Sequence, residues 1–576
     1  MRYYSERQLQ KNKLLKDGDY TSIREMLERI RKYVPKNIIL SELDSNTNII
    51  DHTAEEIYEE VMNLGEGFHR AGFRGKHIAI ISENCYRYII ADICISSGVG
   101  VVTPIDVNAP VQLTATLLNK CDANAVLCGI EQVDKIKEIQ KDCPLLQEII
   151  TINGKIEGIT SYEELVELGK KHAEESTYRT MKLDLDAPAK ILFTSGTTGA
   201  NKGVVLTNAN LAANMLNGMD AIQTRSKSNT SMSVLPMHHA TEINTHIMVR
   251  IGVGRRTFIC SSMRTMMRDI KIFKPDVVTI VPMIANAFYK NIMNGVRKAG
   301  KEEKLNKGIK LCNLLRKFGI DITHKLFPEV YAPFGGNLNM IVCGGSMLNP
   351  VTIKGLNDLG IRIENGYGIT ECGPLISMNG DTLKEHLSVG KCCPDLQVKI
   401  ANADESGVGE LCVKGKSVFK EYYKDPEATK AAFDKDGFFN TGDSAYIDKD
   451  GKIFLVGRKK NTIVLENGKN ICPEEVENII ETNIDYAEDI VVYQAKHTLG
   501  QASRDIICAG LFIKDESVRS DRGRIEADFL KINELLPDYK RIEYIELAES
   551  EYEKTSTRKI KRTILPQECS GKGIIL

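Results

Sequence analysis

Between residues 54 and 152 the chain repeatedly switches its hydrophobic period. AEEIYEEVMNLGEGFHR (54–70) carries apolar side chains at helical spacing, and HIAIIS (77–82) is a short apolar run suited to a buried strand. The alternation recurs: helix-like Tyr86–Ser96 precedes GVVTPID, Val111–Asn119 precedes NAVLCG, and Val133–Lys141 precedes EIITI. A chain of this rhythm can bury both faces of its strands only beneath helices, so it predicts an α/β fold with a parallel sheet. At 576 residues one compact core does not suffice, and a large unit with a smaller one is expected. Residues 291–333 read as helical and solvent-facing. Further on, hairpin signals crowd together at Asp436-Gly437, Lys449-Asp450-Gly451 and Asn467-Gly468. A helix then opens at Pro473, with Glu474, Glu475 and Glu477 complementing its dipole. These features predict helix-covered sheets over 1–456, a linker at 457–461, and a small α+β domain over 462–576.

Composition removes several function classes. A net charge of -1 supplies no field to draw a polyanion, so no nucleic-acid partner is expected. The 15 cysteines form no C-x-x-C pair, and adjacent Cys392-Cys393 suits neither zinc nor a disulfide framework, which favours a reducing cytoplasm. The start, MRYYSERQLQKNK, lacks the apolar core of a secretory signal. No transmembrane segment is expected either: the most apolar stretch, Tyr88–Ile105, is interrupted by Asp92 and reads as a buried helix followed by a strand.

One loop departs from this pattern. In ILFTSGTTGANKGVVL (191–206), Gly196, Gly199 and Gly203 let backbone amides approach a ligand closely, Thr194, Ser195, Thr197 and Thr198 add hydroxyls, and Lys202 adds a charge. Many donors and one cation without a carboxylate suit a polyphosphate. The order is not that of the usual P-loop.

The loop resembles the phosphate-binding signature of the AMP-forming adenylating enzymes, the superfamily of acyl-CoA synthetases, luciferases and nonribosomal-peptide adenylation domains. Further motifs follow in that family's order: LPMHHA (235–240), GGSMLNP (344–350), NGYGITECGP (365–374), SVGKCCP (388–394), NTGDSAYIDKDG (440–451), GRKKNTIVLENGKNICPEEVEN (457–478) and EKTSTRKIKR (553–562). The helical insertion ahead of GGSMLNP and the EKTSTRKIKR ending are most like those of long-chain fatty acyl-CoA synthetases.

The resemblance implies a reaction and its residues. ATP would activate a carboxylic acid, a medium- or long-chain fatty acid, to acyl-AMP with release of pyrophosphate, and CoA would then form the thioester. Gly344, Gly345, Ser346, Asn365, Gly366 and Gly368 would surround adenine, on which Tyr367 would stack. Thr370 would contact the α-phosphate and Glu371 would hold Mg²⁺, a hard cation that prefers oxygen. Asp443 would accept the ribose hydroxyls, with Arg458 close by. His239 would lie at the floor of the carboxylate site, whereas His246 reads as a structural group. Lys559 would bridge carboxylate and α-phosphate. Two departures flank it, because Glu553 and Arg558 stand where the family pattern has Pro and Gly. Lys460 would be the hinge about which the small domain turns between half-reactions, bringing Gly468, Lys469 and Asn470 to the CoA side. Met237, Ala240, Ile243, Val281, Met283 and Met378 are candidates for the acyl tunnel. Two alternatives remain at this level: an acyl-AMP ligase loading an acyl-carrier protein, and a nucleotide-binding protein with decayed catalysis. A cytoplasmic location is expected, and a fatty substrate is compatible with peripheral membrane contact.

Overall fold

The computed structural model describes residues 14, 18–195, 201–223, 230–260, 262–380, 382–465, 470–499, 502–554 and 560–576. Packing divides the chain into two compact units, one of Met1–Ser346, Lys354–Val398 and Val413–Phe439, the other of Met347–Ile353, Lys399–Cys412 and Asn440–Leu576.

The larger unit contains the alternating segments as expected. Helix Ala54–Arg70 is opened by a capping box in which Thr53 and Glu56 satisfy each other's backbone amides. It lies against helix Tyr162–Lys171 so closely that a Cβ on Gly169 would stand 1.7 Å from the Asn63 carbonyl oxygen. The strands between the helices pair in parallel: Lys76–Ile81 is flanked by Gly100–Pro104 and Ala125–Cys128, followed outward by Glu148–Thr151 and Thr160–Ser161. On the other side of Gly100–Pro104 lie Pro188–Ser195, Asn201–Thr207 and Glu421–Tyr422. One element differs from expectation. Helix Tyr86–Cys94 passes into a single wide turn, Ile95–Val99, where the Ser96 hydroxyl donates to the Asp92 carbonyl at 2.7 Å and competes with the helical ladder.

A second sheet of the same unit places side by side Arg256–Ile259, Thr230–Ser233, Val277–Ile280, Met340–Gly344 and Arg362–Gly368, all parallel, and then Leu375–Asn379, antiparallel. The lysine-rich region expected to be helical is so, with helices Pro282–Lys298 and Glu302–Arg316 followed by single turns Thr323–Leu326 and Pro328–Tyr331.

The smaller unit is α+β. Strand Phe439–Ile447 turns at Lys449–Gly451 and returns as Ile453–Arg458, with Gly451 at φ 79. Ile463–Val464 pairs with Asn470–Ile471, while the expected Asn467-Gly468 turn lies outside the described residues. Helix Pro473–Asn483 starts where Pro473 predicts, and it packs with Arg522–Glu534 against the sheet of Asp489–Leu499, Ala502–Phe512 and Tyr544–Ala548. Among the described residues no helix is long and apolar enough to cross a membrane.

The Gly169 contact can be tested against a glycine that has room. Gly169→Leu should destabilise the protein by about 1–3 kcal/mol through overpacking. Gly295→Ala, whose new Cβ meets no atom within 4 Å, should leave the melting temperature unchanged or raise it. Thermal melts of the two variants compare these outcomes.

Candidate active site

The strands that flank the signature loop pair with each other as a hairpin. Pro188–Ser195 and Asn201–Thr207 run antiparallel, with Thr194 opposite Lys202 and Ser195 opposite Asn201, so the register delivers Thr194 and Lys202 to the base of the loop. Gly196, Thr197, Thr198 and Gly199 lie outside the described residues.

A residue that the motifs do not single out joins two that they do. The Tyr422 hydroxyl donates to the Glu371 carboxylate at 2.9 Å, and the Lys202 ammonium stands 4.7 Å from the centre of the Tyr422 ring. Burial and the facing carboxylate push the Tyr422 phenol far above its ordinary range, so it remains a donor at physiological pH. Tyr422 occupies this place because Glu421–Tyr422 pairs with the edge of the hairpin, opposite Val204 and Val205. The second Glu371 oxygen takes no hydrogen bond from the described residues. Thr370 and Glu371 belong to a tight turn, Thr370–Cys372, that follows strand Arg362–Gly368.

Glycine is required on both sides of this turn. A Cβ on Gly368 would stand 2.1 Å from the Pro374 carbonyl oxygen, and Gly373 adopts φ +96 against Asn214. The turn is held from beneath by buried polar groups. Lys190, on the strand leading to the loop, donates to Asp92 at 2.6 Å and to Asn244 at 2.8 Å, with both charged side chains 0–1% exposed. The Asn244 amide donates to the Gly373 carbonyl at 3.4 Å, and the Asn244 carbonyl accepts from Asn214 at 3.1 Å. Asn214 in turn accepts the Leu375 amide at 2.9 Å. Burial disfavours both charges, raising the Asp92 pKa and lowering that of Lys190, while their mutual attraction opposes it. In sequence, Lys190 and Asp92 announce themselves as lone charges in apolar runs.

Gly344, Gly345, Gly366, Tyr367 and Gly368 line one end of a cavity between the second sheet and the helical segments above it, and Tyr367 is buried. Asn365 is buried in the same strand, and Ser346 is exposed just beyond Gly345. Thr241, Thr245, His246, Arg250, Thr279, Met340 and Met378 are among the residues that continue the walls. Of the six tunnel candidates, Met378 reaches this cavity, whereas Met283 is 51% exposed on the outer part of its helix. His246 is held structurally by Glu242 at 2.8 Å and Ser231 at 3.1 Å, yet it also lines the cavity.

His239 lies in a turn clamped by Asn84, which donates to the Leu235 carbonyl at 2.8 Å and accepts the Met237 amide at 2.9 Å. Burial and neighbouring His238 pull His239 down to about 3, so it is a neutral imidazole at working pH. His238, also lowered by burial, faces Asp106 at 3.8 Å.

In the smaller unit, Asp443 is buried opposite Arg458, and Arg458 Nε meets Asp443 Oδ1 at 2.9 Å. The Asp443 backbone amide donates to the Thr441 hydroxyl at 3.1 Å. Lys459, Lys460 and Asn461 form a single tight turn, closed by Lys459–Glu410 at 2.7 Å and by a hydrogen bond from Asn461 to Glu474. Asn470 begins the strand after the undescribed Gly468 and Lys469. Lys559 and Arg558 also lie outside the described residues. Of the described residues on either side, the Lys561 amide donates to the Glu553 carbonyl at 2.8 Å and Lys554 is bridged to Ile560. Glu553 thus engages Lys561 through its side chain as well.

Comparison with known proteins agrees with this geometry. A family model described as AMP-binding enzyme matches residues 34–423. The chain is 30% identical over 447 residues to a long chain acyl-CoA synthetase 6, peroxisomal, of Arabidopsis thaliana, covering 72% of this chain and 63% of that protein. It is 28% identical over 458 residues to a long-chain-fatty-acid–CoA ligase 5 of Rattus norvegicus, covering 74% of this chain and 66% of that protein. The match therefore spans less than two thirds of either relative's length. The crystal structure of an anthranilate CoA ligase, AuaEII, in complex with anthranoyl-AMP shares the fold at TM-score 0.74 and 16% identity, over 94% of this chain and 96% of that one.

Two measurements probe the buried groups. Lys190→Met leaves Asp92 buried without its cation and should cost about 3–5 kcal/mol in denaturant unfolding, most of it recovered in the Asp92→Leu/Lys190→Met double variant. Below pH 6.5 an unfolded histidine takes up a proton that folded His239 refuses until about 3, so stability should fall as pH falls through that window. Melting temperature against pH should fall less steeply in His239→Gln.

Proposed function

The chain belongs to the AMP-binding enzymes, and on that premise we propose that it is an ATP-dependent acid–thiol ligase. Its acid is a medium- or long-chain fatty acid and its thiol is CoA. In the first half-reaction a carboxylate oxygen attacks the α-phosphorus of ATP and pyrophosphate leaves. In the second, the CoA thiol attacks the acyl carbonyl and AMP leaves.

The observation that carries this reading is the convergence of Lys202, Tyr422 and Glu371 at the base of the glycine-rich loop. A cation and hydroxyl donors suit the departing pyrophosphate. Glu371, with one oxygen taken by Tyr422 and the other accepting no bond from the described residues, suits Mg²⁺, which takes one or two carboxylates and completes its shell with phosphate oxygens and water. When bound, the ion would neutralise crowded phosphate oxygens.

Thr370 would donate to the α-phosphate from the turn that Asn214 and Asn244 hold. Tyr367, with Gly344, Gly345, Ser346, Asn365, Gly366 and Gly368, would receive adenine, and Thr194, Ser195, Gly196, Thr197, Thr198 and Gly199 the phosphates. Neutral His239 would present an uncharged ring to the reacting carboxylate, avoiding an ion pair that would dull its nucleophilicity. Asp443 would accept the ribose hydroxyls, with Arg458 orienting its carboxylate. Lys559 would steady carboxylate and α-phosphate during adenylation. Residues 457–461, centred on Lys460, would serve as the hinge between 1–456 and 462–576, after whose rotation Gly468, Lys469 and Asn470 border the path of CoA. The names of the relatives support a fatty acid as substrate.

Lys559→Ala tests the assignment through separate half-reactions. Acyl-AMP formation should fall by the equivalent of about 2.7–4 kcal/mol, while thioester formation from supplied acyl-AMP and CoA keeps its wild-type rate. Equal losses in both half-reactions would remove Lys559 from this role.

A further inference from the structure

The far end of the cavity is not apolar. In strand register Val277 lies opposite Met340, and Gly344 opposite Gly366, so the wall descends four residues from the glycines to Met340, roughly 13 Å at the usual rise per strand residue. Arg250 lines the cavity together with Val277 and Met340, its guanidinium reaching toward Arg256 at the start of a neighbouring strand.

Arg250 is 1% exposed, and among the described residues it has fewer partners than a buried cation requires. Among the described residues its hydrogen bonding consists of Nη2 to the Arg256 carbonyl at 3.4 Å, and its Nε has no partner. Two other buried cations of this unit are better partnered: Lys190 pairs with Asp92, and Arg24 donates to the carbonyls of Ser97 and Tyr178 while lying over the Tyr178 ring. Asp276 attracts Arg250 from beyond ion-pair distance and accepts both the amide and the hydroxyl of Thr230, whereas Arg255 repels it. Burial and Arg255 lower the guanidinium to about 9, which leaves it charged at neutral pH. Thr241, Thr245, Thr279 and His246 add polar groups to the same walls.

A hydrocarbon tail ending here would meet a buried cation that makes no ion pair with the described residues. We propose that Arg250 is a specificity-determining residue that receives a carboxylate at the distal end of the acyl chain, so that the preferred substrate is an α,ω-dicarboxylic acid. This rests on the acid-activating reading above and narrows its substrate class. Guanidinium and carboxylate match in a planar, bidentate geometry, and each removes the other's desolvation penalty.

The test compares CoA thioester formation from decanoic and decanedioic acids, with ATP and Mg²⁺, in wild type, Arg250→Met and Arg250→Lys. Wild type should favour decanedioic acid by about tenfold or more in kcat/KM. Arg250→Met should reverse the preference while still turning over decanoic acid, and Arg250→Lys should keep part of it. Should Arg250→Met fail to fold, the wild-type ratio still decides, together with a larger rise in wild-type melting temperature with decanedioic than with decanoic acid. Preference for decanoic acid in wild type, or a ratio unchanged by Arg250→Met, overturns the inference and leaves the ligase reading standing. Turnover of neither acid overturns both.

Discussion

The pairing of Lys190 with Asp92 beneath the turn that carries Thr370 and Glu371 is the interaction on which the arrangement of the candidate site depends. Two charges so deeply buried are tolerated because each is the other's counter-ion and Asn244 gives the lysine a second acceptor. From there the same asparagine, with Asn214, reaches the backbone of Gly373 and Leu375. The strand that carries Thr194 and the turn that carries Thr370 and Glu371 are therefore fixed to one polar anchor. In a site that must place donors within tenths of an ångström of developing charge, such rigidity matters more than the anchor's net contribution to stability.

Around that anchor the backbone comes unusually close to itself. Gly368 passes the Pro374 carbonyl at a distance that excludes any side chain, and Gly344 runs beside Gly366 with little room to spare. These approaches bring the end of strand Arg362–Gly368 and its following turn to the mouth of the cavity. Tyr422, arriving on a separate strand edge, joins the carboxylate of the turn to the cation of the hairpin. Three segments distant in sequence thus contribute to one electrostatic arrangement of cation, hydroxyl and carboxylate.

The periodicity of residues 54–152 made the parallel sheet legible, because strands buried on both faces leave no other pattern. Gly451 and Pro473 likewise announced a hairpin and a helix of the smaller unit. Helix 86–96 was legible as a helix but not in its wide final turn, since that turn arises from Ser96 bonding backward to Asp92, a local competition that apolar spacing does not record. Lys202 and Glu371 could be read from their motifs, whereas Tyr422 could not: its role comes from strand pairing between segments more than two hundred residues apart. Lys190 and Asp92 were visible as isolated charges in apolar runs, but their pairing required the fold. Arg250 carried no motif, and what sets it apart appears only once its burial and its single hydrogen bond among the described residues are known.

The central claim is that the glycine-rich loop and the turn held beside it activate a carboxylic acid by joining it to AMP. Isotope exchange between pyrophosphate and ATP tests this most directly, because it reports reversal of adenylation before any thiol enters. Exchange that requires Mg²⁺ and an added medium- or long-chain carboxylic acid, proceeds without CoA, and is lost in Glu371→Gln is the predicted result. Absence of exchange with every acid, or exchange indifferent to the acid supplied, would contradict the account.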